Sequence, residues 1–178
     1  MRDRRQSGTQ ILVVERSPSF ARLLRSELVH RGFSHVRLAG DAEEALGLLA
    51  GEPFSAVLCD NETRPIGGAA FVRAARTGEA MVDPYLPIIM TSFAPTRPAI
   101  SACRDAGANV FLAKPVSNDQ LTEKLLVCLT EARHFVKVRS YFGPDRRKGK
   151  RPAYRGQERR SGTALDRAAI RARRFFAA

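Results

Sequence analysis

Two hydrophobic rhythms alternate along the chain from residue 10 to residue 133. Short apolar runs such as ILVV at 11–14 and FSAVLC at 54–59 predict strands buried on both faces. Between them, apolar residues recur every three or four places. Residues 17–30 place Phe20, Leu23, Leu24 and Leu28 on one helical face, and Ser17 stands where a side-chain oxygen caps the first turn. The same reading predicts strands over 35–38, 86–90 and 110–113, and helices over 41–50, 68–76, 97–105 and 118–133. Five strands alternating with five helices predict an α/β fold built on a five-stranded doubly wound parallel sheet.

Beyond residue 133 the rhythm is lost. Residues 134–140, HFVKVRS, read as a linker or an added strand, and residues 141–178 form an arginine-rich extension. Charge follows the same boundary. Residues 1–133 carry 16 Lys/Arg against 15 Asp/Glu, whereas residues 134–178 carry 14 against 3, so the net charge of +12 sits almost wholly in the tail. A near-neutral body with a basic tail implies a fold indifferent to the charge and a segment that seeks an anion. A total of 178 residues, 44% of them hydrophobic, suits one domain with an appendage. Residues 1–9 read as a flexible basic start, with no apolar run behind them long enough for a signal peptide and no eighteen-residue apolar stretch anywhere in the chain. Cys59, Cys103 and Cys128 lack metal-ligand spacing and lie in apolar surroundings, so they are expected to be buried thiols in a reducing, cytoplasmic setting with no membrane partner.

In a doubly wound sheet, chemistry gathers beyond the carboxyl ends of the strands. Those ends carry Glu15 and Arg16, then Asp60, then Thr91 and Ser92, then Lys114 before Pro115. This order resembles the receiver domain of bacterial response regulators, the flavodoxin-like fold of the CheY group, over residues 10–133. The resemblance implies that Asp60 in VLCD accepts a phosphoryl group from a histidine kinase with the aid of a divalent metal. It implies too that Ser92 hydrogen-bonds that group, that Lys114 pairs with it, and that Phe111 is the aromatic that changes rotamer on activation.

The first strand departs from the family, which usually ends it with two adjacent acids where this chain reads VVER. Glu15 keeps one carboxylate, but Arg16 stands where a direct metal ligand is expected, and a cation there repels a hard divalent metal. Only weak magnesium binding at Glu15 and Asp60 is expected, and Arg16 is placed to pair with Asp60 in a metal-free site. In NETRPIGG the proline falls one place later than usual, which leaves Asn61 as a second candidate for the acceptor position. Phosphorylation is therefore expected to be weak or absent, and the pocket mainly structural.

The extension writes Tyr-x-Gly-x-acid-Arg-Arg twice. Tyr141, Asp145, Arg146 and Arg147 belong to the first copy, and Tyr154, Arg155, Glu158, Arg159 and Arg160 to the second, with Arg151 between them. A phosphate grip alone needs no carboxylate at a fixed register. Guanine does: its O6 and N7 accept an Arg fork, its N1–H and N2–H donate to a carboxylate, and its face stacks on Tyr or guanidinium. Two copies suit a ligand with two guanines and two phosphates, namely cyclic di-GMP. Thr163 and Asp166 then stand at capping-box spacing before good helix formers, which predicts a short terminal helix with Arg167, Arg171 and Arg174 on one face.

A receiver followed by YFGPDRR and GQERR is similar to the arginine-rich CheY-like effectors, the Cle group. That resemblance implies a tail, disordered alone, that orders around cyclic di-GMP, and docking on a protein partner such as the flagellar motor switch or adhesion machinery to control motility or attachment. The second copy has Gln157 where the first has Pro144, so identical geometry of the halves is not implied. The competing reading is a phosphorylation-controlled receiver whose basic tail binds nucleic acid through its charge. No catalytic triad or dyad of nucleophile and base stands out, so an enzyme is not expected.

Overall fold

The computed structural model describes residues 8–78, 83–131, 133–139, 141–146 and, as backbone, 163–165. Five parallel strands, β1 (Gln10–Val14), β2 (His35–Ala39), β3 (Ala56–Asp60), β4 (Ile88–Ser92) and β5 (Val110–Ala113), lie in the order β2-β1-β3-β4-β5. The strand order reverses beside β1, which opens a crevice at the carboxyl ends of β1 and β3. Helices α1 (Pro18–His30) and α5 (Asn118–Thr130) cover one face through Leu28, Leu121, Leu125 and Cys128. Helices α2 (Ala42–Gly51), α3 (Gly67–Thr77) and α4 (Arg97–Ala106) cover the other through Leu49, Phe71, Val72 and Cys103. With both faces covered, β3 and β4 are apolar up to their polar carboxyl ends, and β1 is apolar after Gln10.

Helix starts follow local chemistry. The side chains of Ser17, Asp41, Thr96 and Ser117 accept from Phe20 N, Glu44 N, Ala99 N and Gln120 N, satisfying amides that a helix leaves unpaired. All three cysteines are free and buried. Among the described residues no helix is long and apolar enough to cross a membrane.

Two boundaries differ from expectation in ways that matter for the sites. Strand β4 starts at Ile88, after Pro87, and runs on to include Thr91 and Ser92, so both hydroxyls are held by the ladder. Helix α5 stops at Thr130, three residues early, because the chain must turn there to bring Phe135 into the interior, where it is 0% exposed.

The segment after α5 forms a second sheet. Strands β6 (Phe135–Val138), β7 (Tyr141–Pro144) and β8 (Thr163–Leu165) pair antiparallel in the order β7-β6-β8. The terminal helix predicted to begin with a Thr163 cap is corrected at its start, since Thr163–Leu165 is a strand on the second edge of β6. The ladder offered by β6 outweighs a weak local helical preference, and a β-branched residue such as Thr163 suits a strand. The rest of that predicted helix, residues 166–178, lies outside the described residues. The extension is also not wholly disordered on its own, because its first four residues are β7.

The hairpin β6–β7 packs on the amino-terminal end of the main sheet. Phe135 and Phe142 each meet Tyr85 edge-on and tilt against one another, with ring centroids 5.1 to 5.7 Å apart. Beneath it lies Arg76 of α3, only 3% exposed. Its guanidinium donates to the carbonyls of Gly107, Pro84 and Leu86 and to Asn109 Oδ1 at 2.6 to 3.0 Å, and lies 5.2 Å from the Phe135 ring centroid. The backbones of Gly107 and Gly143 touch: a Cβ on Gly143 would fall 2.7 Å from Gly107 Cα, and one on Gly107 2.6 Å from Phe142 O. Gly107 also ends α4 with a φ of 106°, a conformation that favours glycine.

Candidate functional site

At the carboxyl end of the sheet, β1, β3, β4 and β5 deliver Glu15, Asp60, Ser92 and Lys114 to one pocket. Lys114 is 6% exposed overall, and its Nζ lies 2.7 Å from Glu15 Oε2 and 2.9 Å from Asp60 Oδ1. Phe20 and Phe93 flank the ammonium, each with its ring centroid 4.8 Å away. Glu15 Oε1 accepts from Ser17 N at 3.0 Å, so both carboxylate oxygens of Glu15 are engaged. The pairing expected between Arg16 and Asp60 is replaced by Lys114, because Arg16 follows the strand end and its side chain is exposed. Phe111 is half-buried against the core.

A residue that the sequence reading passed over completes the pocket. Ser92 Oγ donates to Glu62 Oε1 at 2.6 Å, Asn61 Nδ2 donates to the same oxygen at 3.3 Å, and Glu62 shares a hydrogen bond with Asp60. Burial pushes the Asp60 carboxyl up to about 6; Lys114 opposes this, while Glu62 and Glu15 add to it. Burial acts on Glu62 in the same sense, but hydrogen bonds from Ser92, Asp60 and Asn61 outweigh it and hold its carboxyl below the ordinary value. The signal was its position two places after Asp60 at a strand end. Asn61 holds Glu62 and, through its Oδ1, meets the buried Cys103 thiol at 3.1 Å.

This arrangement can hold a proton between two carboxyls and balance a buried ammonium. The ammonium of Lys114 already binds the carboxylate oxygens of Glu15 and Asp60 that would face a divalent cation, so such an ion would have to displace it.

The second group of predicted residues lies by the opposite end of the sheet. Tyr141 Oη donates to Pro144 O at 2.7 Å, which folds the Tyr141 side chain back along β7, and Arg146 stacks on the Tyr141 ring with its Cζ 4.2 Å from the centroid. Arg146 Nη1 binds Asp105 Oδ1 at 2.8 Å, and Nη2 donates to Arg104 O at 3.2 Å. Asp145 is half-buried, its amide donating to His134 O at 2.7 Å. Arg147, Arg151, Tyr154, Arg155, Glu158, Arg159, Arg160, Arg167, Arg171 and Arg174 lie outside the described residues. The glycine of the first copy has a structural reason independent of any ligand, since Gly143 lets β7 lie against Gly107.

A doubly wound sheet with an acid, a hydroxyl and a lysine at the carboxyl ends of β3, β4 and β5 defines a receiver domain. The chain belongs to the response regulator receiver domain family, whose pattern matches residues 11–126. It is 28% identical over 116 residues to the chemotaxis protein CheY of Pseudomonas aeruginosa, covering 65% of this chain and 92% of that protein. It is 32% identical over 104 residues to the sensory/regulatory protein RpfC of Xanthomonas campestris pv. campestris, covering 58% of this chain but only 14% of that protein's length. Among solved structures, a response regulator from Chloroflexus aurantiacus superposes with a TM-score of 0.64 at 28% identity, covering 69% of this chain and 98% of that one. The receiver domain of a sensor histidine kinase from Pseudomonas aeruginosa, solved with magnesium in its active site cleft, gives 0.63 at 26% identity, covering 70% and 99%.

Proposed function

We propose that this receiver-domain protein is a second-messenger effector that binds cyclic di-GMP through residues 141–178 and then docks on a protein partner to control motility or attachment. The observation that carries the reading is the repeated pairing of an acid with two arginines behind a Tyr-x-Gly, in a tail with 14 Lys/Arg against 3 Asp/Glu. The stacking of Arg146 on Tyr141 supports it, because the first copy already brings an aromatic ring and a guanidinium together as a platform for a purine. The likeness to a chemotaxis CheY supports a motility output such as the flagellar motor switch.

In this reading the carboxyl-end pocket does not carry the input signal. Lys114, Glu15, Asp60, Glu62 and Ser92 satisfy one another, and Arg16 stands at the rim. Control passes to the tail. Ordering the tail costs free energy at each residue, so several charge-assisted contacts must offset it. Arg146→Ala with Arg147→Ala, or Arg159→Ala with Arg160→Ala, should abolish calorimetric cyclic di-GMP binding while leaving the circular dichroism of the receiver unchanged. Unaltered affinity in both double variants would refute the assignment. Capture of long polyanions with no preference for the dinucleotide would favour a nucleic-acid tail instead.

A further inference from the structure

The Arg146 contact with α4 has a consequence for ligand entry. Its guanidinium has two terminal nitrogens and two faces. One nitrogen binds Asp105 at 2.8 Å, the other binds the last-turn carbonyl of Arg104 at 3.2 Å, and one face lies on Tyr141. Asp105 is itself held in place, with Oδ2 accepting from Ser101 Oγ at 3.4 Å and Oδ1 lying 3.7 Å from Arg104 Nε. The carboxyl end of a helix also favours a cation. Both terminal nitrogens that Arg146 would aim at a guanine edge or a phosphate are therefore already engaged with the receiver.

We infer that Asp105 is an internal competitor for the nucleotide, a carboxylate on α4 that holds one terminal nitrogen of Arg146 until a guanine or phosphate displaces it. This rests on the cyclic di-GMP reading and names the regulation of that same site. The contact joins the tail to α4, whose other end follows Phe93 at the pocket. Because linkage is reciprocal, a ligand that takes Arg146 from Asp105 loosens β7 from α4 by the same factor that Asp105 weakens the ligand.

The exposures of the two side chains, 40% for Arg146 and 50% for Asp105, limit the effect. A half-exposed ion pair corresponds to about a two- to fivefold change in affinity. Calorimetry with cyclic di-GMP on the full chain carrying Asp105→Ala should show binding tighter by that factor. In an Arg146→Ala background, where binding is weaker, Asp105→Ala should change nothing. Equal tightening in both backgrounds would mean only that a negative charge was removed near an anion, and no tightening in either would mean no competition; each overturns the inference. A nucleotide-free arm separates it from the parent reading. Asp105→Ala should shift the NMR signals of the Tyr141 ring and the Arg146 Nε–H while α4 keeps its helical shifts, and unmoved signals would overturn the latch. If no variant binds cyclic di-GMP, the nucleotide reading and the gate built on it both fall, whatever that arm shows of the contact.

Discussion

The two ends of the main sheet are built from different interactions. At the carboxyl end, Lys114, Glu15, Asp60, Glu62 and Ser92 form a buried polar cluster with little apolar support beyond Phe20 and Phe93. At the amino end, the seam between the receiver and β6–β7 is an aromatic cluster stacked on one fully hydrogen-bonded arginine, with two glycines in backbone contact. The first lies within residues 11–126, which match the receiver family; the second is made by residues that follow them. Under the proposed function, the difference marks a shift of control from the acid pocket to the added sheet.

The seam should be the costlier end to break. Arg76→Met removes a buried cation and strips its hydrogen bonds from three backbone carbonyls and from Asn109, and by analogy with broken buried networks it should cost about 3–5 kcal/mol. Urea unfolding checks this, and a loss below about 1 kcal/mol would mean that the aromatic cluster alone holds the hairpin.

The pocket should respond in the opposite direction. Folded, Asp60 keeps its proton up to about 6, whereas unfolded it ionises near the ordinary 3.8. Between those values the folded chain binds more protons, so the stability Asp60 contributes is complete below about pH 4 and is lost as pH rises through about 6. Asp60→Asn should therefore stabilise the protein at pH 7 by on the order of 1–3 kcal/mol, with the gain vanishing near pH 4. Thermal melts at both pH values test it, and destabilisation at pH 7 would show that the carboxylate is a net support for Lys114.

A smaller effect sharpens the contrast in function. Acetyl phosphate with magnesium should leave the intact mass of the wild type largely unchanged, and Arg16→Asp should raise phosphoryl uptake roughly tenfold by restoring an anionic ligand, a change of about 1.4 kcal/mol in the barrier. Stoichiometric uptake by the wild type would return control to the pocket.

The main sheet was legible because its apolar runs and helical stripes are strong and local, and its pocket because strand ends fix where Glu15, Asp60, Ser92 and Lys114 must meet. Other features depend on partners distant in the chain. Strand β6 reads as either a linker or an added strand, and its pairing with β7 and, far along the sequence, with Thr163–Leu165 makes it the strand. Glu62 reads as a loop acid until Ser92 is brought to it by β4. Arg76 reads as a surface cation, although it lies one helical turn after Val72 on the apolar stripe of α3, and that spacing was a signal. Asp105 carries no sequence cue at all, since only the fold of the hairpin puts Arg146 against it.

Selectivity of the tail tests the shift of control most directly. Calorimetric titration of the full chain at about 0.15 M salt with cyclic di-GMP, cyclic di-AMP and GTP should give at least a roughly tenfold preference for the first, the step expected when paired purine-edge contacts are lost. Equal capture of all three, or of none, would contradict the account.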